Sequence, residues 1–217
     1  MRSTVNEDSK KIEHSLKHAP NLDFYKVEAH FTDKKTLDVN GKKITGEKIF
    51  IVAGARPLIP DIDGINDIDY LTNESVLELK DQPESLIIIG GGYIAAEYAH
   101  FFDSIGTEVT IIQRNNYLVP GEEPEISELL EEKYSKRMTV KTKMEAYQVQ
   151  RLRGEVRIKA KGVDDGKEMS FQAEEVMIAA GRKSNADLLQ VEAGGVDVDE
   201  RGYIQVDDYY QTSQNNV

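Results

Sequence analysis

The stretch from Ser85 to Ala99, SLIIIGGGYIAAEYA, constrains this chain more than any other. Its aliphatic run reads as a buried strand and breaks at Gly90-Gly91-Gly92. The apolar spacing then becomes helical and stays so through Ile105. A second apolar strand, Glu108-Val109-Thr110-Ile111-Ile112-Gln113, follows. Strand, tight glycine turn, helix and strand in that order predict a βαβ unit, and so a parallel sheet with helices against it.

The glycines also fit a G-x-G-x-x-A pattern, which in this strand-to-helix context is a dinucleotide fingerprint. Gly90 permits the turn, Gly92 lets a pyrophosphate approach the backbone, and Ala95 keeps the helix close to the strand. The helix N-terminus adds free N–H groups and a partial positive charge for phosphates. A glycine-rich turn between strand and helix can be purely structural, but the flanking strands on both sides favour the nucleotide reading.

With 217 residues the chain can form one large domain or two small ones. A formal charge of −12 with no basic cluster argues against nucleic acid or an anionic membrane surface as partner. No run is long and apolar enough for a membrane helix, and the N-terminus has no apolar signal region, so a cytoplasmic location is expected. The absence of cysteine excludes disulfides, cysteine–zinc sites and thiol catalysis within these residues. His14 and His18 share a helical face, but in a polar segment that reads as solvated surface, so no metal site is expected.

In chain order, residues 1–20 read as a short helix or disordered lead-in. Short strands follow at Tyr25–Phe31, Thr36–Val39 and Lys43–Thr45, with Asn40-Gly41 as a two-residue hairpin turn. A further strand is expected at Lys48–Val52, ending in Ala53-Gly54-Ala55-Arg56-Pro57. A connector with Pro57, Pro60 and Pro83 leads to the fingerprint and holds one short helix at Ser75–Leu79. After the second strand, Pro124 opens a helix whose Ile126, Leu129, Leu130 and Tyr134 are expected to be core. Met138–Thr142 reads as a third strand, and 147–171 as an antiparallel meander. Glu175–Ile178 then runs into Ala179-Ala180-Gly181-Arg182, which repeats the apolar–Ala–Gly–Arg cue seen at Gly54. Two short strands are expected between Gly195 and Gln211.

The succession IVAGARPLIP, IIIGGGYIAAEYAHFF, EVTIIQR, MIAAGRKSNADLL and GYIQVDDYYQTSQNNV resembles the FAD-dependent pyridine nucleotide–disulfide oxidoreductases. Within that family the stretch after Ala179 is most similar to the dihydrolipoamide dehydrogenase and mycothione reductase branches. The resemblance implies a Rossmann-like α/β NAD(P)-binding domain of three layers: parallel sheet, helices and antiparallel meander. It would be flanked by pieces of an FAD domain. The boundaries that follow are 1–56 for the first flank, 57–83 for the connector, 84–182 for the NAD(P) domain and 183–217 for the returning flank. The family's first FAD fingerprint, its CxxxxC redox pair, its flavin-touching Gly-Asp and its C-terminal His-Pro have no counterpart here. The chain is therefore expected to be the middle of a longer enzyme, inactive alone and without FAD of its own. Its parent would be a homodimer through a further C-terminal domain.

The resemblance also carries roles by position. Gly90, Gly92 and Ala95 match the pyrophosphate fingerprint, and Tyr93 an aromatic that covers the nicotinamide pocket. Glu97 matches a glutamate beside the flavin whose lysine partner has no counterpart here. Met144 aligns with a residue whose backbone meets adenine, and Gly181 with one near the nicotinamide ribose. Gly54 ends the matching crossing on the FAD side. At the end of the second strand, NAD-binding members carry an acidic residue for the ribose hydroxyls. Gln113 and Arg114 stand there instead, and a guanidinium can pair with a 2′-phosphate. Ala95 and Ala99 lean the same way, while Pro120 replaces a second arginine common in NADPH-binding members. NADPH is favoured over NADH. Two other readings stay open: a free-standing dinucleotide sensor, and a fingerprint that binds FAD, which Gln113 disfavours.

Overall fold

In the computed structural model, which describes residues 2–217, Asn40 and Gly41 both take positive φ, 54° and 84°, and reverse the chain in two residues. Such a turn matches the twist of the flanking strands, which is why asparagine–glycine selects it. Met1, at the head of the expected lead-in, lies outside the described residues. Two compact units are present, one built from residues 2–54 with Ser184–Val217 and the other from Ala55–Lys183.

The first unit begins with helix α1 (Arg2–His18). Glu13 accepts from Lys17 at 2.6 Å and from Lys26 at 2.5 Å, and these bonds hold its carboxyl down to a pKa of about 2. Strands β1 (Ala29–Asp33), β2 (Thr36–Val39) and β3 (Lys42–Thr45) form an antiparallel sheet in that order. The expected strand at 25–31 starts later because its partner β2 fixes the register, with Ala29 opposite Val39. Phe31 is buried with Val191, Val196 and Val217, and half-buried Ile49 and Ile51 pack on that cluster.

Lys48–Val52 is not a strand. It keeps the alternation of one, since Phe50 and Val52 are 86% and 90% exposed while Ile49 and Ile51 turn inward. What it lacks is a ladder: among the described residues Ile49 N–H alone finds a backbone carbonyl, that of Asn216. The tail likewise has isolated bridges, Val198 with Ile204 and Val206 with Thr212, in place of two strands.

The second unit opens with β4 (Ala55–Pro57). Next come β5 (Ser85–Ile89), helix α2 (Tyr93–Ser104) and β6 (Glu108–Ile112). Helix α3 (Pro124–Ser135) and strand β7 (Thr139–Lys141) follow. The meander is β8 (Met144–Leu152), β9 (Glu155–Gly162) and β10 (Glu168–Ala173). β11 (Glu175–Ile178) and β12 (Arg182–Ser184) complete the order. A four-stranded parallel sheet runs β11-β5-β6-β7, so the strand order reverses beside β5. That reversal is a topological switch point, where open α/β sheets bind ligands beyond the strands' carboxyl ends.

The period of two in β5 sorts its side chains between the two faces. Leu86 and Ile88 pack with Ala95, Ala99 and Phe102 of α2; Ile87 and Ile89 pack with Val149, Val156 and Ile158 of the meander. Helices, parallel sheet and antiparallel meander are thus three layers of a Rossmann-like fold. The connector is stitched into the same unit. Asp63 donates to Tyr147 and accepts from Val149, while Leu71 donates to Val176 and accepts from Ile178.

Helix α3 turns only half of the expected row inward. Ile126 and Leu129 are half exposed, while Ser127 is buried and the half-buried Leu130 and Tyr134 pack against the core. The inward row is 127, 130 and 134, along which the Ser127 hydroxyl donates to the Val119 carbonyl and the Tyr134 hydroxyl to that of Ala96.

Candidate functional site

A cleft of about 450 Å³ opens where β5, β6 and β11 end. Gly90, Gly91 and Gly92 form one wall. Each is a glycine for a different reason. Gly90 has φ +118°, and a Cβ there would lie 2.2 Å from the Ala179 carbonyl oxygen. A Cβ at Gly91 would meet the Gln113 side chain at 2.8 Å. Gly92 has an ordinary φ of −80°, and a Cβ there would meet nothing within 4 Å. The protein itself demands glycine at 90 and 91; at 92 it leaves open space.

Gly92 is also the N-cap of α2, and no side chain caps that end. The first N–H groups of the helix are therefore left for an acceptor outside the helix, with the positive end of the helix dipole behind them. Ala95 is fully buried between α2 and the sheet, consistent with the close helix–strand approach that its small side chain permits.

Gln113, Arg114 and Asn115 line the cleft beyond β6. The Gln113 side chain is 6% exposed, and its amide donates to the Tyr117 carbonyl at 3.2 Å. It braces the loop after β6 and has committed a donor to doing so. Arg114 is exposed; its Nη1 stands 3.8 Å from Glu145 Oε1. Met144 and Glu145, opening β8, form the opposite lip, and the Met144 N–H donates to the Gln113 carbonyl at 2.9 Å. Gly181 and Leu58 close the far side, with the Leu58 N–H on the Gly181 carbonyl at 3.0 Å.

The loop from 115 to 123 is fixed by Val119, a β-branched residue with φ +42°. That conformation is strained for valine and persists only where surroundings impose it. Its N–H donates to Gly91 at 2.6 Å, and its carbonyl accepts from Ser127 Oγ and Glu122 N–H. The loop so held brings Pro120 to the cleft and Glu122 to Tyr93. The Tyr93 hydroxyl donates to Glu122 Oε1 at 2.6 Å, and that bond, with some desolvation, holds the phenol above its ordinary pKa.

The structure thus gathers Gly90, Gly92, Gln113, Arg114, Met144 and Gly181 around one cleft. Ala95 lies behind it, and Tyr93 and Glu97 project from α2 as exposed side chains that do not line it. Gly54 belongs to the other unit and does not line it. Sequence reasoning missed Asp61, Asn115 and Glu145. These arrive from the connector, a loop and the meander, and no local pattern marks them. Among the described residues, no group of three or more His, Cys, Asp or Glu side chains could hold a metal, and no helix is long and apolar enough to cross a membrane.

A parallel sheet with a glycine turn at its switch point, helices on one face and an antiparallel meander on the other defines a Rossmann-like α/β class. Within it the chain belongs to the pyridine nucleotide-disulphide oxidoreductase family, whose pattern matches residues 3–217. It is 40% identical over 199 residues to a mercuric reductase of Staphylococcus aureus, covering 90% of this chain and 36% of that one. It is 34% identical to a mycothione reductase of Mycobacterium tuberculosis, covering 92% and 43%. The HOCl-induced flavoprotein disulfide reductase RclA of Escherichia coli superposes with a TM-score of 0.86 at 29% identity, over 99% of this chain and 49% of that one. The chain therefore spans less than half the length of these relatives. The family uses FAD and NAD(P)H.

Proposed function

We propose that the Ala55–Lys183 unit is the NAD(P)H-binding domain of a flavin-dependent disulfide oxidoreductase, and that NADPH is its preferred cofactor. Gly92 carries this reading. It is a glycine that neither its φ nor its neighbours require, set at the uncapped start of a twelve-residue helix and facing a cleft. Space without protein contact at that point suits a pyrophosphate approaching the backbone.

In this reading Gly90 and Gly92 shape the pyrophosphate cradle, and the N–H groups at the start of α2 bind it. Arg114 meets the adenosine 2′-phosphate, the Met144 lip faces adenine, and Gly181 lies toward the nicotinamide. The bound nicotinamide supplies a hydride, and the flavin of the whole enzyme takes it up on its way to a disulfide. These 217 residues contain no cysteine and so cannot themselves exchange dithiol for disulfide. Family membership and the relatives' names support the oxidoreductase class; Arg114 at the cleft supports the cofactor preference.

Titration calorimetry with NADPH and NADH tests the reading. A charge-assisted contact to phosphate contributes about 1.5–3 kcal/mol, so Arg114→Ala is expected to weaken NADPH about ten- to a hundredfold and leave NADH nearly unchanged. Equal losses for both cofactors would reduce Arg114 to a surface side chain.

A further inference from the structure

Arg114 is the cation among the residues lining the cleft, and Asp61 and Glu145 are the carboxylates. Among the described residues Arg114 makes no hydrogen bond; its charged neighbour is Glu145, with Nη1 and Oε1 3.8 Å apart. The other carboxylate oxygen of Glu145 lies 3.9 Å from Lys161 Nζ, across the ladder in which Glu145 pairs with Lys161. Lys143, the next cation along, is already held by Asp164 at 3.0 Å. Glu145 therefore stands between two cations, within ion-pair range of both and hydrogen-bonded to neither. It occupies the lip that a phosphate bound by Arg114 would have to share.

We propose that Glu145 is a positioning residue that tunes cofactor preference, holding the Arg114 guanidinium and lowering the advantage of a 2′-phosphorylated dinucleotide over its unphosphorylated counterpart. The inference rests on the NAD(P)H reading of the cleft. A 2′-phosphate must draw Arg114 away from the carboxylate, and it then sits beside that carboxylate as a like charge. A ribose hydroxyl does neither, so NADH is insensitive to Glu145. The arrangement gives a cleft with a moderated preference for NADPH and retained affinity for NADH. Both charges are largely in solvent, with side chains 71% and 41% exposed, so salt screens the effect.

The test is calorimetric titration of NADPH and NADH into the unmodified 217-residue chain, Glu145→Gln, Arg114→Ala and the double variant. Glutamine keeps the shape and removes the charge. Glu145→Gln is expected to tighten NADPH about three- to fivefold and to leave NADH within about twofold. In the Arg114→Ala background the same change is expected to give a clearly smaller gain for NADPH, because only the direct repulsion between carboxylate and phosphate is left to relieve. Half-molar salt is expected to erase most of the gain. Unchanged or weaker NADPH binding in Glu145→Gln overturns the inference, as does an equal shift for both cofactors. So does a gain that persists undiminished without Arg114. These results leave the NAD(P)H reading standing; failure of the unmodified chain to bind either dinucleotide overturns both.

Discussion

Replacing Gly90 with alanine is expected to destabilise the Ala55–Lys183 unit by about 3–5 kcal/mol, summing backbone strain and overpacking. The φ of +118° lies where L side chains rarely go, and the new Cβ would sit 2.2 Å from the Ala179 oxygen and 2.5 Å from its carbon. Both obstructing atoms are backbone of the segment that continues β11. They are held by the Ala179 N–H on the Ile89 carbonyl, and Gly90 itself is held by its N–H on Ile112. The turn cannot open without breaking the ladder between β5 and its neighbours. Since a domain's whole stability is only about 5–15 kcal/mol, urea unfolding should show a unit near or below its folding threshold. A loss under about 1 kcal/mol would mean that the turn relaxes freely and that Gly90 is not a structural necessity.

Two residues on, the same substitution is expected to do the opposite. Gly92→Ala places a Cβ in open space on a backbone with φ −80°, so its stability penalty is limited to the weaker N-cap, about 1 kcal/mol or less. Dinucleotide affinity is expected to fall more than about a hundredfold, or about 2.7 kcal/mol. The methyl group would occupy the space through which a pyrophosphate reaches the first N–H groups of α2. NADPH and NADH should suffer alike, because both carry that pyrophosphate; this separates Gly92 from Arg114. An unaltered dissociation constant in a well-folded Gly92→Ala protein would place the phosphates elsewhere.

The contrast between these glycines shows what a sequence can and cannot disclose. Both match the fingerprint, yet only the structure separates the one the fold needs from the one it leaves clear. The β5–turn–α2–β6 unit was legible because its signals are local: an aliphatic run, a glycine break, then apolar residues at helical spacing. The Asn40-Gly41 hairpin was legible for the same reason, since a two-residue turn with both φ positive nearly dictates its residues.

What escaped the sequence is non-local. Lys48–Val52 has the composition and alternation of a strand, but a strand also requires a neighbour to complete its hydrogen bonds, and composition does not record neighbours. Helix α3 turns Ser127 inward, where its hydroxyl meets the Val119 carbonyl, and no apolar periodicity marks a serine for burial. Glu145 stands beside Arg114 where β8 begins at Met144, whose N–H is tied to the Gln113 carbonyl. The expected connector at 57–83 belongs to the same compact unit as the nucleotide fold because Asp63 and Leu71 bridge to β8 and β11.

On the proposed function, the N-terminal turn of α2 receives a dinucleotide pyrophosphate. Amide NMR of the isotopically labelled chain during NADPH titration tests it most directly. The N–H resonances of Gly92, Tyr93 and Ile94 are expected to move together and saturably with NADPH and with NADH, while Arg114 and its neighbours respond to NADPH alone. Saturable binding that leaves the Gly92–Ile94 amides unmoved, or no binding at all, would contradict it.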